Sequence, residues 1–204
     1  MLPSTLQDVR LVAQVQLPNS TKDIKVRGES DIPRKGGKVK RVWLEPNNPL
    51  AYPPTIQALL GADIIIIGPG SLYTSIIPNL LVPDITEAIR VSRGLKFFVC
   101  NVATQQGETE GYSCGDHVKT IEQIIGKGLF DEIICNDNCK GKLPGEIEFV
   151  CLDEDLEKEY PVYAANLSDT EAPWRHDSIK LASAILDLYN ERTGPIGREF
   201  GSEL

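Results

Sequence analysis

Three clusters of polar residues in this chain have the types and spacing to do chemistry. The first is a loop, Gly68-Pro69-Gly70-Ser71, with further hydroxyls at Thr74 and Ser75 and then Pro78-Asn79. Glycines let backbone N–H groups come close to a phosphate, and hydroxyls add donors without bulk. The loop is neither a GxGxxG fingerprint nor a Walker-type P-loop. The residues alone therefore leave two readings open: the floor of a phosphate-containing ligand site, or a tight turn whose glycines satisfy backbone geometry.

The second cluster holds Asn101, Thr104, Gln105, Gln106, Gly107, Glu108, Thr109 and Glu110, followed by Asp116 and His117. Amides and hydroxyls suit recognition of a neutral base, ribose or sugar. Glu108, Asp116 or His117 could act on a proton or hold a cation. Capping competes with that role, since Ser113 or Asp116 near a helix start satisfies orphan N–H groups. His117, one turn into a helix, reads as structural. The third cluster is Trp174-Arg175-His176-Asp177, just before the last helix. Arginine there can grip a phosphate bidentately while the helix N-terminus adds its positive end. A surface ion pair is the competing reading for Arg175.

These clusters need elements to position them. Alternating patterns over 9–16, 24–29 and 38–44 predict a small antiparallel meander. The chain then changes to strand–helix alternation, with a helix over 55–60 and strands over 62–67, 95–101, 131–135 and 160–164. Helices are expected over 83–93, 114–126 and 177–192, with 136–160 irregular and its charged stretch 153–159 a solvated turn. Ile64–Ile67 reads as a strand buried on both faces, as in a parallel sheet. In such sheets ligands bind at the carboxyl ends of the strands, so the first two clusters should face one crevice. The tail after Gly194 carries no core-forming pattern and is expected to be flexible over 195–204.

Composition narrows the classes. A chain of 204 residues can bury about 70% of its unfolded surface and needs no metal or disulfide to fold. A formal net charge of −8 argues against general nucleic-acid or anionic-membrane binding. No apolar stretch approaches a membrane span and no signal-peptide layout opens the sequence, so the expectation is a cytoplasmic protein without membrane insertion. The 5 cysteines are scattered and odd in number, which reads as reduced thiols. Cys135 and Cys139 are spaced CxxxC without a second pair, so free cysteines are preferred to a zinc site.

The sequence resembles the gluconeogenesis factor family, relatives of the 2-phospho-L-lactate transferases. The resemblance is carried by LPST at 2–5, VRGES at 26–30, IGPGSLYTSIIPNLL at 67–81 and NVATQQGETEGY at 101–112. DHV at 116–118 and RHD at 175–177 complete it. It implies a three-layer α/β/α Rossmann-like sandwich with a mostly parallel sheet, beside the small antiparallel meander read from the pattern. We expect a single α/β domain over 1–194, with the meander at 9–45 and the sheet and helix core at 55–192. The resemblance further implies a crevice for a nucleotide-linked ligand, a UDP-sugar in the regulatory branch concerned with carbon metabolism and cell shape. The expected ligand-binding residues are Gly68, Pro69, Gly70, Ser71, Thr74, Ser75, Asn101, Thr104, Gln106, Arg175 and His176.

One departure accompanies the match. Family members open with a strand and a GGGTG-type loop that this sequence lacks, so it is expected to carry the C-terminal two thirds of a larger domain. A sheet edge exposed in this way would favour association, with a homodimer as the expected form. The transferase branch gives the alternative activity, moving a phosphate-linked group from a nucleotide diphosphate to a deazaflavin alcohol. That chemistry would use Mg²⁺, with Glu108 and Asp116 as the candidate catalytic carboxylates.

Overall fold

The computed structural model describes residues 1–18, 20 and 22–194; the tail 195–204, expected to be flexible, lies outside them. The chain opens with the meander: β1 (Arg10–Gln16), β2 (Asp23–Arg27) and β3 (Lys38–Glu45), with the short helix α1 (Asp31–Arg34) between the last two. Both pairings are antiparallel, and β1 lies at the centre of the order β2-β1-β3.

A second sheet follows with four strands: β4 (Ile64–Ile67), β5 (Leu95–Val99), β6 (Glu132–Asn136) and β7 (Val162–Ala165). All pairings in it are parallel and the spatial order is the chain order, β4-β5-β6-β7. Stepping always in one direction with right-handed crossovers places every connecting helix on one face. Those helices are α3 (Ile77–Leu80), α4 (Pro83–Val91), α5 (Cys114–Ile125) and α6 (Glu154–Glu159), while α2 (Pro53–Leu60) lies between the two sheets in the chain. The opposite face receives α7 (Ser178–Thr193), whose Ala184 and Leu188 join Phe97, Val99, Ile134 and Leu167 in one apolar cluster. Alternate strand residues, Phe98, Ile133 and Cys135 among them, point the other way into a larger cluster. That cluster also takes in Leu11, Ala13, Val15, Val39 and Val42 of the meander, so the antiparallel sheet packs onto the same core. The architecture is the expected α/β sandwich with a parallel sheet and a separate meander.

Four sequence readings need correction. Ile64–Ile67 is not buried on both faces: Ile65 and Ile67 are in the core, but Ile66 is 46% exposed. The cause is position, since β4 is an edge strand and α7 packs on the far strands. The stretch after Ser71 is not an extended loop but a helical run, a π-helical turn Leu72–Ile76 continuing into α3 (Ile77–Leu80). The charged turn at 153–159 is the helix α6, capped by the Asp153 side chain accepting from Leu156 N–H and seated by buried Leu156. The cysteines are not all free thiols. Cys114 is bonded to Cys135 and Cys139 to Cys151, leaving Cys100 free and buried. Those partners are 21 and 12 residues apart in sequence; the first pair meets where β6 lies beside the start of α5, and the second closes the segment after β6 on itself.

No helix among the described residues is long and apolar enough to cross a membrane. The two faces of the parallel sheet give a direct test. Phe98 is fully buried, with its ring centroid 5.2 Å from that of Phe130, so Phe98→Ala should cost about 3–5 kcal/mol. Ile66→Ala, on the open face of β4, should change stability by no more than about 0.5 kcal/mol. Urea unfolding midpoints of the two variants check the contrast.

Candidate functional site

The chain reverses tightly after β4, and Gly68 makes that possible. Its φ is +87°, and a Cβ there would lie 2.5 Å from the Val99 carbonyl oxygen, so any larger residue is excluded both by conformation and by the closeness of β5. Next to it the Asn101 side chain, at the exit of β5, grips Gly70 twice. Its Oδ1 accepts from Gly70 N–H at 3.0 Å and its Nδ2 donates to Gly70 O at 2.9 Å. A primary amide in this pose mimics a strand partner, extending the pairing of β4 and β5 beyond the sheet. Gln105 Nε2 adds a bond to Ser71 Oγ at 2.8 Å.

The crevice built on this clamp has a volume of about 210 Å³ and is lined by Gly70, Asn101, Thr104, Gln105, Trp174 and His176, with Ile147 closing another side. It therefore joins the loops after β4 and β5 with the segment preceding α7. Burial pushes the His176 imidazole below its ordinary pKa, against an opposing pull from the Cys100 backbone. The ring is accordingly neutral at physiological pH, and its buried Nε2 has no hydrogen-bond partner among the described residues.

Other expected site residues lie elsewhere. Gly68, Pro69 and Ser75 line a separate, largely apolar cavity of about 330 Å³ on the open side of β4, which Gly70 also borders. Thr74 is buried and serves as a donor to Glu108. Gln106 is exposed, with its amide 3.5 Å from Glu146. Arg175 is exposed beside the crevice-lining Trp174 and His176, and its backbone N–H donates to Ala172 O.

The two candidate carboxylates are not among the residues that line the crevice. Glu108 accepts from Tyr73 N–H at 3.0 Å and from Thr74 Oγ1 at 2.7 Å, so it caps the helical run that begins directly after Ser71. Asp116 accepts from Ser113 N–H while Ser113 Oγ accepts from Asp116 N–H, a reciprocal capping box at the start of α5. Among the described residues no three His, Cys, Asp or Glu side chains gather as a metal site.

Sequence reasoning missed Ile147. It lies in the stretch read as irregular, which here forms a short strap: Thr104 N–H donates to Glu148 O, Glu148 N–H to Thr104 Oγ1, and Val150 N–H to Val102 O. No local pattern marks these residues, because their partners are more than 40 residues away in sequence. Gln105 was visible within the second cluster but was not singled out.

Residues 1–181 of the chain match the family described as "2-phospho-L-lactate transferase CofD". Among named relatives, a gluconeogenesis factor of Halalkalibacterium halodurans is 42% identical over 171 residues, covering 79% of this chain and 53% of the relative. That of Bacillus subtilis is 41% identical over 178 residues, covering 81% of this chain and 55% of the relative. A crystal structure of a UPF0052-family protein from Bacillus halodurans superposes with a TM-score of 0.80 at 35% identity, over 91% of this chain and 61% of that one. The chain thus spans a little over half the length of these relatives.

Glu108 provides a pH test. Burial raises its pKa above the ordinary carboxylate value of 4.5, outweighing the lowering by the bonds from Thr74 and Tyr73. The folded state therefore holds this proton more tightly than the unfolded chain. Any stability from that proton is fully present below the unfolded pKa and is lost as pH rises through the raised folded value. In Glu108→Gln the amide can still accept from Tyr73 N–H and donate to Thr74 Oγ1, so the variant should lose less stability than the wild type between pH 5 and pH 8. Denaturant melts across that range measure the difference in slope.

Proposed function

The chain belongs to the 2-phospho-L-lactate transferase CofD family, and on that premise we propose that its crevice binds a nucleotide-sugar, a UDP-sugar, as a regulatory protein of the gluconeogenesis factor type. The observation carrying this reading is the Asn101 clamp on Gly70, beside Gln105 and the unpartnered ring nitrogen of His176. A crevice beyond the carboxyl ends of two adjacent parallel strands is where sheets of this kind take ligands. Its lining of amides, a hydroxyl, a neutral imidazole and an indole suits a sugar or base. Arg175, exposed beside the crevice-lining Trp174 and His176, supplies a guanidinium of the kind that binds phosphate. Glu108 and Asp116 are engaged in capping, which supports binding over turnover. In this reading the protein acts in the cytoplasm and reports UDP-sugar levels to carbon metabolism and cell shape.

The description of the matched family favours a second reading, transfer of a phosphate-linked group from a nucleotide diphosphate to a deazaflavin alcohol with Mg²⁺. Because the chain covers little more than half of its relatives, their full activity comes to it only as a proposal.

Calorimetric titration of UDP-N-acetylglucosamine, with and without Mg²⁺, tests the first reading. We expect saturable binding, weakened at least tenfold (about 1.4 kcal/mol) by Asn101→Ala and by Arg175→Ala in chains that keep their circular dichroism. Absence of saturable heat, or affinity unchanged in the folded double variant, overturns it. Product formation from a deazaflavin alcohol in the presence of Mg²⁺ would put the transferase reading in its place.

A further inference from the structure

We propose that a cavity between the meander and α5 is a second ligand site, separate from the crevice, and that it takes a small organic phosphate. The cavity has a volume of about 630 Å³, within the range of about 300–1,000 Å³ typical of small-molecule sites. Lys40, Arg41 and Trp43 of β3 face Thr120, Gln123 and Ile124 of α5 across it. It shares no lining residue with the crevice.

The charge of the lining argues for an anion. Carboxylates outnumber Lys and Arg in the chain by 29 to 21, yet the cavity lining contains two adjacent cations and no carboxylate. Among the described residues neither Lys40 nor Arg41 forms an ion pair, whereas Lys25 and Arg27 on β2 are both held by Glu45. A lysine and an arginine side by side suit a dianionic phosphate better than a single carboxylate, the guanidinium binding two oxygens and the ammonium supplying a compact charge.

β3 is an edge strand of the meander, and its five consecutive residues from Lys40 to Leu44 all line the cavity. Successive side chains on a regular strand point to opposite faces, and a cavity along a free edge takes residues from both. Here Gln14 of β1 pairs with Arg41 and Val15 with Val39, leaving Lys40 as an extra residue. This is a β-bulge, a device that re-aims side chains and recurs beside functional sites.

The rest of the cavity has the character to receive an organic body. Trp43 is half-buried, and its indole N–H donates to Glu45 Oε1 at 3.2 Å, which fixes the ring. Ile124 adds an apolar contact, while Thr120 and Gln123, three residues apart and so on one face of α5, supply neutral polar groups.

Phenyl phosphate, which joins a phosphate to a planar apolar body, is the probe. Titrated into the whole chain at low ionic strength, it should bind saturably at one site, and inorganic phosphate or phenol alone should bind at least tenfold more weakly. Lys40→Gln and Arg41→Gln, both at exposed positions, should each lower the affinity at least tenfold without altering circular dichroism. Asn101→Ala, in the crevice, should leave it unchanged. The proposal is overturned if phenyl phosphate gives no saturable heat, if the Lys40→Gln/Arg41→Gln double variant binds as the wild type does, or if Asn101→Ala abolishes binding, which would locate the anion in the crevice. Neither the expected result nor any of these failures depends on whether UDP-N-acetylglucosamine binds.

Discussion

The shape of the site depends on one buried carboxylate. Glu108 lies under the helical run that follows the glycine loop and accepts from Tyr73 N–H and Thr74 Oγ1. Charge-assisted bonds of this kind are worth about 1.5–3 kcal/mol each, while removing a carboxylate from water costs several kcal/mol. Burial wins, as the raised pKa of Glu108 records. The result is a contact that is expensive to break, because opening it would strand the N–H groups at the start of the helical run. The loop after β4 and the loop after β5 are thereby held as one body.

That rigidity lets weaker groups define the crevice. Asn101 holds Gly70 by two ordinary hydrogen bonds, and Gln105 holds Ser71 by one. On the other side the strap around Ile147 is stitched to residues 102–104 by three backbone-mediated bonds, and the Cys139–Cys151 bond closes the strap at its base. His176 enters from the segment before α7, where Asp177 caps the helix by accepting from Ile179 and Lys180 N–H. Four stretches remote in sequence therefore meet in a space of about 210 Å³. The first three of these stretches are tied to one another by hydrogen bonds between residues remote in sequence.

The same loop also separates two environments. Gly70 and Ser71 look toward the polar crevice and its amides, while two residues later Tyr73 borders the cationic cavity against α5 and shares a hydrogen bond with Tyr112 at 2.8 Å. A helical run of only nine residues, 72–80, thus divides two cavities of opposite character. Its π-helical turn, with the wider i→i+5 bonding, occurs where the buried Glu108 takes the first donors. Such turns recur at functional sites.

Much of this was legible in the residues. Alternation marked the meander and the change to strand–helix order marked the parallel sheet, because the periods of 2 and 3.6 residues are local consequences of backbone geometry. Gly70, Asn101, Thr104 and His176, which line one crevice, were recognisable as candidates for a site because their chemistry is carried by residue type. What the sequence could not decide was which way each group faces. Glu108 and Asp116 have the chemistry of catalysts, and only packing turns them into caps. Ile64–Ile67 has the composition of a strand buried on both faces, and only the order of strands leaves Ile66 exposed at an edge. The cysteine pairs, Ile147 and the bulge at Lys40 depend on partners remote in sequence. Residue type and period determine what a segment can do, whereas exposure, pairing and direction arise from contacts between segments, and those exist only once the chain has folded.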